Sequence, residues 1–485
     1  MKHHYHKIIL SALLLVVTST ACKKSFLEVI PKGKLIAQTS SDYSLILSNL
    51  DLLNMGAANV QVAMGDEVAA IEPYFTSGIS ASLKTQRSFR WDATIYEANE
   101  DAGETLVPLR NIYLYNKVIN EVPNATDGTS QFKLQIESEA RAGRAWAYFM
   151  LINYYGKPYN AATAATDPGF PIVEVADVTT TKFDRATVQQ VYDFIIKDLT
   201  TAIPNLTPQV VNRTRMSKAA AEAILGKVYL FMGRYNDALN QLNAAIADIA
   251  NPGTPIKLYD YNVEFATGGV FLPINATSGP ASILLPNNAE SLYSKQFANG
   301  FTSSYNDIVI TPQTAALFGA SDQRLKFYAN STYSTKLPFP VAGLLRKQKG
   351  SQTLFGMQLP DLYLLRAECR CRTNDLTGAK ADVEALRVKR MPAADATVPA
   401  ATANQQFSLL KFILDERIRE YAVEGYRWFD MRRLSVDPLF ASTTFTHSLY
   451  SATGTTTTFQ LKPERLTLRL PQKIIDQNPN IENNP

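Results

Sequence analysis

The sequence predicts a mainly α protein, an α-superhelix of paired helices interrupted by long loop-rich insertions. Three observations carry this expectation. Apolar residues recur at helical spacing through most of the chain. One stretch, Ser217 to Pro252, carries a two-helix repeat pattern. Segments rich in Pro, Gly, Thr and Asn at 160–181, 251–312 and 392–406 break the helical spacing and read as extended loops, with room for short strands. At 485 residues and 46% apolar composition, the chain can bury a sizeable core.

The chain opens with Lys2 and Lys7 ahead of the apolar run Ile8 to Val17, and small residues Thr18-Ser19-Thr20-Ala21 then reach Cys22. This is the charged, apolar, small-residue order of a secretory signal. The apolar run is about half the roughly 20 residues a membrane-spanning helix needs, and no later stretch is long and apolar enough to span. Ser-Thr-Ala-Cys resembles a lipobox, with Ser19 in place of the usual Leu, so Cys22 is expected to be cleaved and acylated. The plainer alternative is ordinary cleavage nearby, with Cys22 an incidental thiol. Residues 1–21 are read as the signal peptide and 22–35, with its lysines, Pro31 and Gly33, as a lipidated tether.

Beyond the tether, helices are expected over Tyr43–Leu53, Leu106–Val122, Phe132–Tyr155 (ended by Gly156-Lys157-Pro158) and Thr187–Ile203 (stopped at Pro204). Within Ser217–Pro252, Leu225-Gly226, Tyr229, Gly233, Tyr235, Ala238 and Ala245 fall in positions of the 34-residue tetratricopeptide pattern. There the small residues let two antiparallel helices approach. Glu222 and Leu242 depart from the pattern, and its proline comes two residues late. A weaker unit covers Leu359–Pro392, turning at Asn374–Gly378, and Arg141–Gly156 supplies half of another. Because such repeats bury their faces on one another, three or four units are expected. A charged helix is expected over Phe407–Arg433.

The charge balance, 48 basic against 44 acidic residues, offers neither a basic stripe for nucleic acid nor an acidic tract. Loss of the signal removes His3, His4 and His6 and leaves His447 alone, which excludes histidine-rich zinc and paired-histidine iron sites. Cys369 and Cys371 sit on one predicted helix about 200° apart, which suits neither a disulfide nor a two-ligand clamp. No metal and no cofactor is expected. There is also no phosphate-cradling loop, dinucleotide fingerprint or nucleophile elbow. Glu416, Glu420 and Glu424 recur every four residues among arginines, a spacing that favours structural ion pairs over acid–base chemistry.

The segment Ile413-Leu414-Asp415-Glu416-Arg417-Ile418-Arg419-Glu420, running into Glu424-Gly425-Tyr426-Arg427-Trp428-Phe429-Asp430-Met431-Arg432-Arg433, closely resembles the C-terminal signature of the SusD/RagB family. Arg144-Ala145-Trp146-Ala147-Tyr148-Phe149, Tyr154-Tyr155-Gly156, Leu362–Glu368, Asp322-Gln323-Arg324, Leu470-Pro471-Gln472 and Asn478-Pro479-Asn480 agree with it in order. The resemblance implies one body of four tetratricopeptide-like helix pairs, with 36–250 as its N-terminal portion and 251–485 as its C-terminal portion. It implies a non-enzymatic, lipid-anchored protein of the outer membrane that captures a glycan, or in some cases a peptide. The implied partner is a TonB-dependent, SusC-like transporter. Lys23-Lys24-Ser25, where acidic residues often follow the cysteine, leaves outward display open against a periplasmic orientation. A repeat scaffold that docks another envelope protein is the runner-up; a glycosidase comes third.

Sugars pair apolar C–H faces with hydroxyls, so their sites combine aromatic platforms with amide or guanidinium hydrogen-bonders. Trp146 and Trp428 lie in scaffold signatures, which leaves Trp91 as the tryptophan on a predicted loop. The family resemblance places a binding aromatic near it. The insertion adds Asn287, Asn288, Tyr293, Phe301, Tyr305 and Asn306; of these Asn287, Tyr293 and Tyr305, with Trp91, are the candidate ligand-binding residues.

Overall fold

Helices succeed one another along the chain, each leaning on its neighbour. In the computed structural model, residues 37–485 are described except 56–57, 79, 181, 251–252 and 284–286; the expected signal peptide, Cys22 and the tether lie outside the described residues. The principal helices are α1 (Ser40–Leu47), α2 (Gly103–Glu121), α3 (Ser130–Tyr155), α4 (Val188–Ala202), α5 (Lys218–Phe231), α6 (Tyr235–Asp248), α7 (Leu359–Arg372), α8 (Leu376–Arg387), α9 (Gln406–Tyr421) and α10 (Tyr426–Leu434). α2 packs on α3, α3 on α4, α5 on α6, α6 on α7, and α7 on both α8 and α9. The mainly α architecture expected from periodicity is the one found. Among the described residues no helix is long and apolar enough to cross a membrane.

Local chemistry explains the ends. Thr187 caps α4 in a reciprocal box with Gln190, and Thr129 caps α3 at Phe132 N. In the α5–α6 hairpin, a Cβ on Gly226 would lie 2.6 Å from Leu242 Cγ, so glycine there sets the approach of the two helices. The α7–α8 hairpin turns through Asn374 at φ 67°, and Asp375 then caps Gly378. Both predicted repeat units are therefore helix pairs.

Two expected helices are broken. Tyr43–Leu53 ends at Leu47, because Asn49 adopts an extended conformation and caps a separate 3₁₀ turn, Leu50–Leu53. The charged helix 407–433 divides into α9 and α10 at Ala422–Gly425, where Val423 and Gly425 take φ of 64° and 81°. The β-branched Val423 is held in this uncommon state from both sides: its N–H donates to Glu67 (3.3 Å) and its carbonyl accepts from Asn299 (2.8 Å).

Segments between the helices also build a mixed sheet, of which only one strand falls in a stretch expected to be loop-rich. Its strands are β1 (Val68–Ile71), β2 (Ile308–Ile310), β3 (Thr446–Tyr450) and β4 (Thr456–Gln460), ordered β4-β3-β1-β2. β1 runs parallel to β3, with Ala70 opposite Leu449, and antiparallel to β2, with Ala69 opposite Val309. A helical scaffold thus carries, at one side, a small sheet from which loops project.

Candidate functional site

The glutamates that recur every four residues are scaffold. Arg324 reaches Asp322, Glu416 and Glu420 at 2.8, 2.7 and 2.9 Å, and Arg387 and Arg419 take the other oxygen of Glu416 at 2.7 and 2.8 Å. Arg417 joins Asp361 to Asp430, and Arg433 joins Glu368 to Asp430. Burial alone would raise the Glu416 carboxyl, but Arg324, Arg419 and Arg387 hold it far below the usual range. Trp146 and Trp428 are core residues, and both cysteines are buried.

Trp91 does not stand on an open loop. It follows the short helix Leu83–Phe89 with φ 54°, is 3% exposed, and its indole N–H donates to the Met64 carbonyl at 3.0 Å. Its ring stacks 3.8 Å from His447, whose other face lies 4.2 Å from Phe89. The His447 nitrogens sit 2.6 Å from the carbonyls of Phe89 and Gly65, while burial pushes the ring down to about 4. This stack pins β3 to the 65–91 region. Trp91 has no accessible platform to offer.

Of the other candidates, Tyr293 is buried and its hydroxyl meets that of Tyr115 at 3.2 Å; burial pushes the phenol up. Asn287 is exposed, and its carbonyl accepts from Tyr259 at 3.5 Å. Tyr305 is half-buried, edge-on to Phe301 at 5.6 Å. The structure does not bring these four residues together.

What it does assemble is a face around Tyr305. Arg346, on a two-residue strand paired with Tyr328–Ala329, donates to the carbonyls of Ser303 (2.6 Å), Ser331 (3.4 Å) and Thr277 (3.4 Å). It thereby ties together three loops: 275–279, 303–306 and 331–337. Asn306 accepts from Tyr333 N at 2.7 Å, which fixes the 331–337 turn beside Tyr305. The Arg346 guanidinium lies 5.3 Å from the Tyr333 ring centre, and Lys336, which donates to Ala276 O at 2.8 Å, lies 5.9 Å from it. Phe339, at the base of the turn, packs in a cluster with Ile71, Val309 and Tyr450 that also holds half-buried Tyr74. Half-exposed tyrosines beside an amide are a combination expected for sugar recognition, while the fully buried Arg346 serves beneath them to hold the loops.

A cavity of about 330 Å³ adjoins this face. Its walls include Phe271, Ser282, Asn288, Gln296, Lys349, Ser351, Gln352 and Glu424. Gln348 donates to the same Thr277 carbonyl as Arg346, so segment 346–353 runs from the tyrosine face to the cavity. Charges in the cavity are mutually neutralised: Glu424 is held by Lys347 and Lys349 at 2.6 and 2.8 Å, and Glu290 by Arg390 at 2.8 Å. A larger cavity of about 660 Å³ near the C-terminal segment has no tyrosine or tryptophan in its walls. A third, about 260 Å³, is mainly aliphatic between α2 and segments 170–183 and 470–481. Tyr333, Lys336 and Arg346 escape a reading of the sequence, because Arg346 is recognised only by main-chain carbonyls that any residue supplies.

Comparison with known proteins is in register with this geometry. A family model described as starch-binding associating with outer membrane, SusD-like, matches residues 25–230, and the SusD family model matches residues 294–485. A SusD-like protein of Bacteroides ovatus is 26% identical, over 88% of this chain and 83% of that protein. Among solved structures, a SusD superfamily protein of Bacteroides thetaiotaomicron superposes with TM-score 0.68 at 20% identity, covering 92% of this chain and 100% of that one. A laminarin-binding SusD-like protein superposes with TM-score 0.66 at 17% identity, covering 92% and 99%. At these identities the structural matches speak to fold alone.

Proposed function

Because the chain belongs to the SusD family, we propose that it captures an oligo- or polysaccharide at the bacterial cell surface and hands it, unchanged, to a TonB-dependent, SusC-like transporter. In this reading residues 1–21 are removed, acyl chains on Cys22 hold the protein at the outer membrane through a tether of residues 22–35, and the portions 36–250 and 251–485 act as one body. Several acyl chains, at about 0.8 kcal/mol per buried methylene, suffice for firm anchoring.

The observation that carries the proposal is the face gathered by Arg346, where Tyr305 and Tyr333 stand half-exposed with Asn306 between their loops. Such rings stack on sugar C–H faces while amides and hydroxyls take the sugar hydroxyls, and loops on a rigid helical frame suit this task. Glutamates that could have served as acid and base are instead spent on arginines and lysines, which favours binding over hydrolysis.

Affinity electrophoresis and calorimetry against a panel of polysaccharides and peptides test the proposal. The parent is expected to bind at least one polysaccharide, and the variant Tyr305→Ala/Tyr333→Ala to lose about tenfold or more in affinity, since each aromatic contact is worth about 0.5–1.5 kcal/mol. New reducing ends on incubation with the bound polymer, or equal binding by parent and double variant, would overturn it.

A further inference from the structure

We infer that the tyrosine face selects glycans bearing anionic groups, uronate or sulfate, whose charge is met by Lys336 and Arg346. This rests on the capture reading above and specifies its ligand class. Most buried arginines of the scaffold meet a carboxylate, as Arg324, Arg390, Arg417 and Arg433 do, and Lys349 in the adjoining cavity is bound to Glu424; Arg432, held by the Leu466 and Gly156 carbonyls alone, is shut inside the core. Lys336 and Arg346 lie beside the half-exposed Tyr333 ring without a carboxylate partner. Every hydrogen bond they make is to a main-chain carbonyl: Ala276 for Lys336, and Ser303, Ser331 and Thr277 for Arg346.

Carbonyl dipoles solvate a cation without cancelling it, so two positive charges remain near the Tyr333 ring centre, at 5.9 Å for Lys336 and 5.3 Å for Arg346. Burial lowers the guanidinium of Arg346 only to about 10, which leaves it charged at neutral pH. The three loops that make the face carry no acidic residue, and Asp307, which precedes β2, is buried and pairs with neither cation. A deeply held guanidinium therefore supplies a fixed field, while exposed Lys336, on a turn with φ 57°, is free to touch ligand. Tyr333 and Tyr305 would then stack on the sugar rings and leave the acid group to the lysine.

The test compares polygalacturonate and a sulfated galactan with two neutral polymers, laminarin and dextran, by affinity electrophoresis and calorimetry at about 0.01 M and about 0.15 M salt, where the screening length falls from about 30 Å to about 8 Å. Expected are preferential binding of an acidic polymer, weakening as salt rises, and a loss of about tenfold in Lys336→Glu. The same charge change placed on α8, Lys380→Glu, should leave affinity unchanged. Salt-insensitive binding of a neutral polymer that Lys336→Glu does not alter would overturn this inference and leave the capture reading standing. Failure to bind any polymer would overturn both.

Discussion

The segment 413–433 and the face around Arg346 treat charge in opposite ways. In the first, acids and bases are buried together, and Glu416, Glu420 and Asp430 are each shared among two or three guanidinium groups. In the second, a buried arginine is held by three loop carbonyls and its charge remains uncancelled. The richer sequence signature belongs to the first and builds the frame. The second, almost silent in the sequence, is where the frame presents rings and hydrogen-bonders. A pronounced motif is thus no guide to a site unless its groups are free to meet a ligand.

The contrast breaks most sharply at Glu416. Glu416→Ala leaves Arg324, Arg387 and Arg419 facing a void and should cost about 3–5 kcal/mol in urea unfolding, as loss of one partner from a buried ionic cluster does. A cost below about 1 kcal/mol would mean that the cluster is not the frame's fastener.

Somewhat smaller is the pH effect at His447. Burial holds its folded-state value at about 4 against the unperturbed 6.5, so the folded ring binds its proton less readily. Its contribution is intact above 6.5 and is lost as pH falls from there toward 4, by about 3 kcal/mol in full. In a chain lacking residues 1–21 it is the sole histidine. Carbon-13 labelling of histidine can therefore follow its titration directly, beside the melting temperature.

Trp91→Phe comes next. It leaves the Met64 carbonyl without its donor and the His447 stack thinner, for about 1–3 kcal/mol, with glycan affinity unaltered by calorimetry. A loss of affinity without loss of stability would return Trp91 to the site. The smallest change in stability is expected for Tyr333→Ala, within about 0.5 kcal/mol of the parent, although this variant sits on the proposed binding face.

The helical frame was legible because its signals are local. Spacing, caps and small residues at Gly226 and Asn374 act within a few turns of chain, and the predicted helix pairs at 217–252 and 359–392 formed accordingly. The sheet was not legible: its strands are three to five residues long, and β1 finds its parallel partner at 446–450. Trp91 misled for a related reason. Arg90 and Asp92 flank it with charge, as a surface loop would, yet its positive φ accompanies a ring turned inward onto a histidine more than 350 residues away in sequence. Tyr293 likewise belongs to a short strand whose burial depends on Met357 and Gln358 opposite. Tyr305 could be named because tyrosine beside asparagine is visible in sequence. Its companions Tyr333 and Arg346 depend on loop closure.

The parallel pairing of β1 with β3 has a consequence for biogenesis. Val68–Ile71 is made long before the strand it needs on one side, Thr446–Tyr450. Until then a wholly apolar strand keeps an open edge, the kind of surface that invites association with other chains. The nascent molecule therefore gains from shielding until that strand is made, and a truncation that stops short of residue 446 forfeits the closure of its first strand.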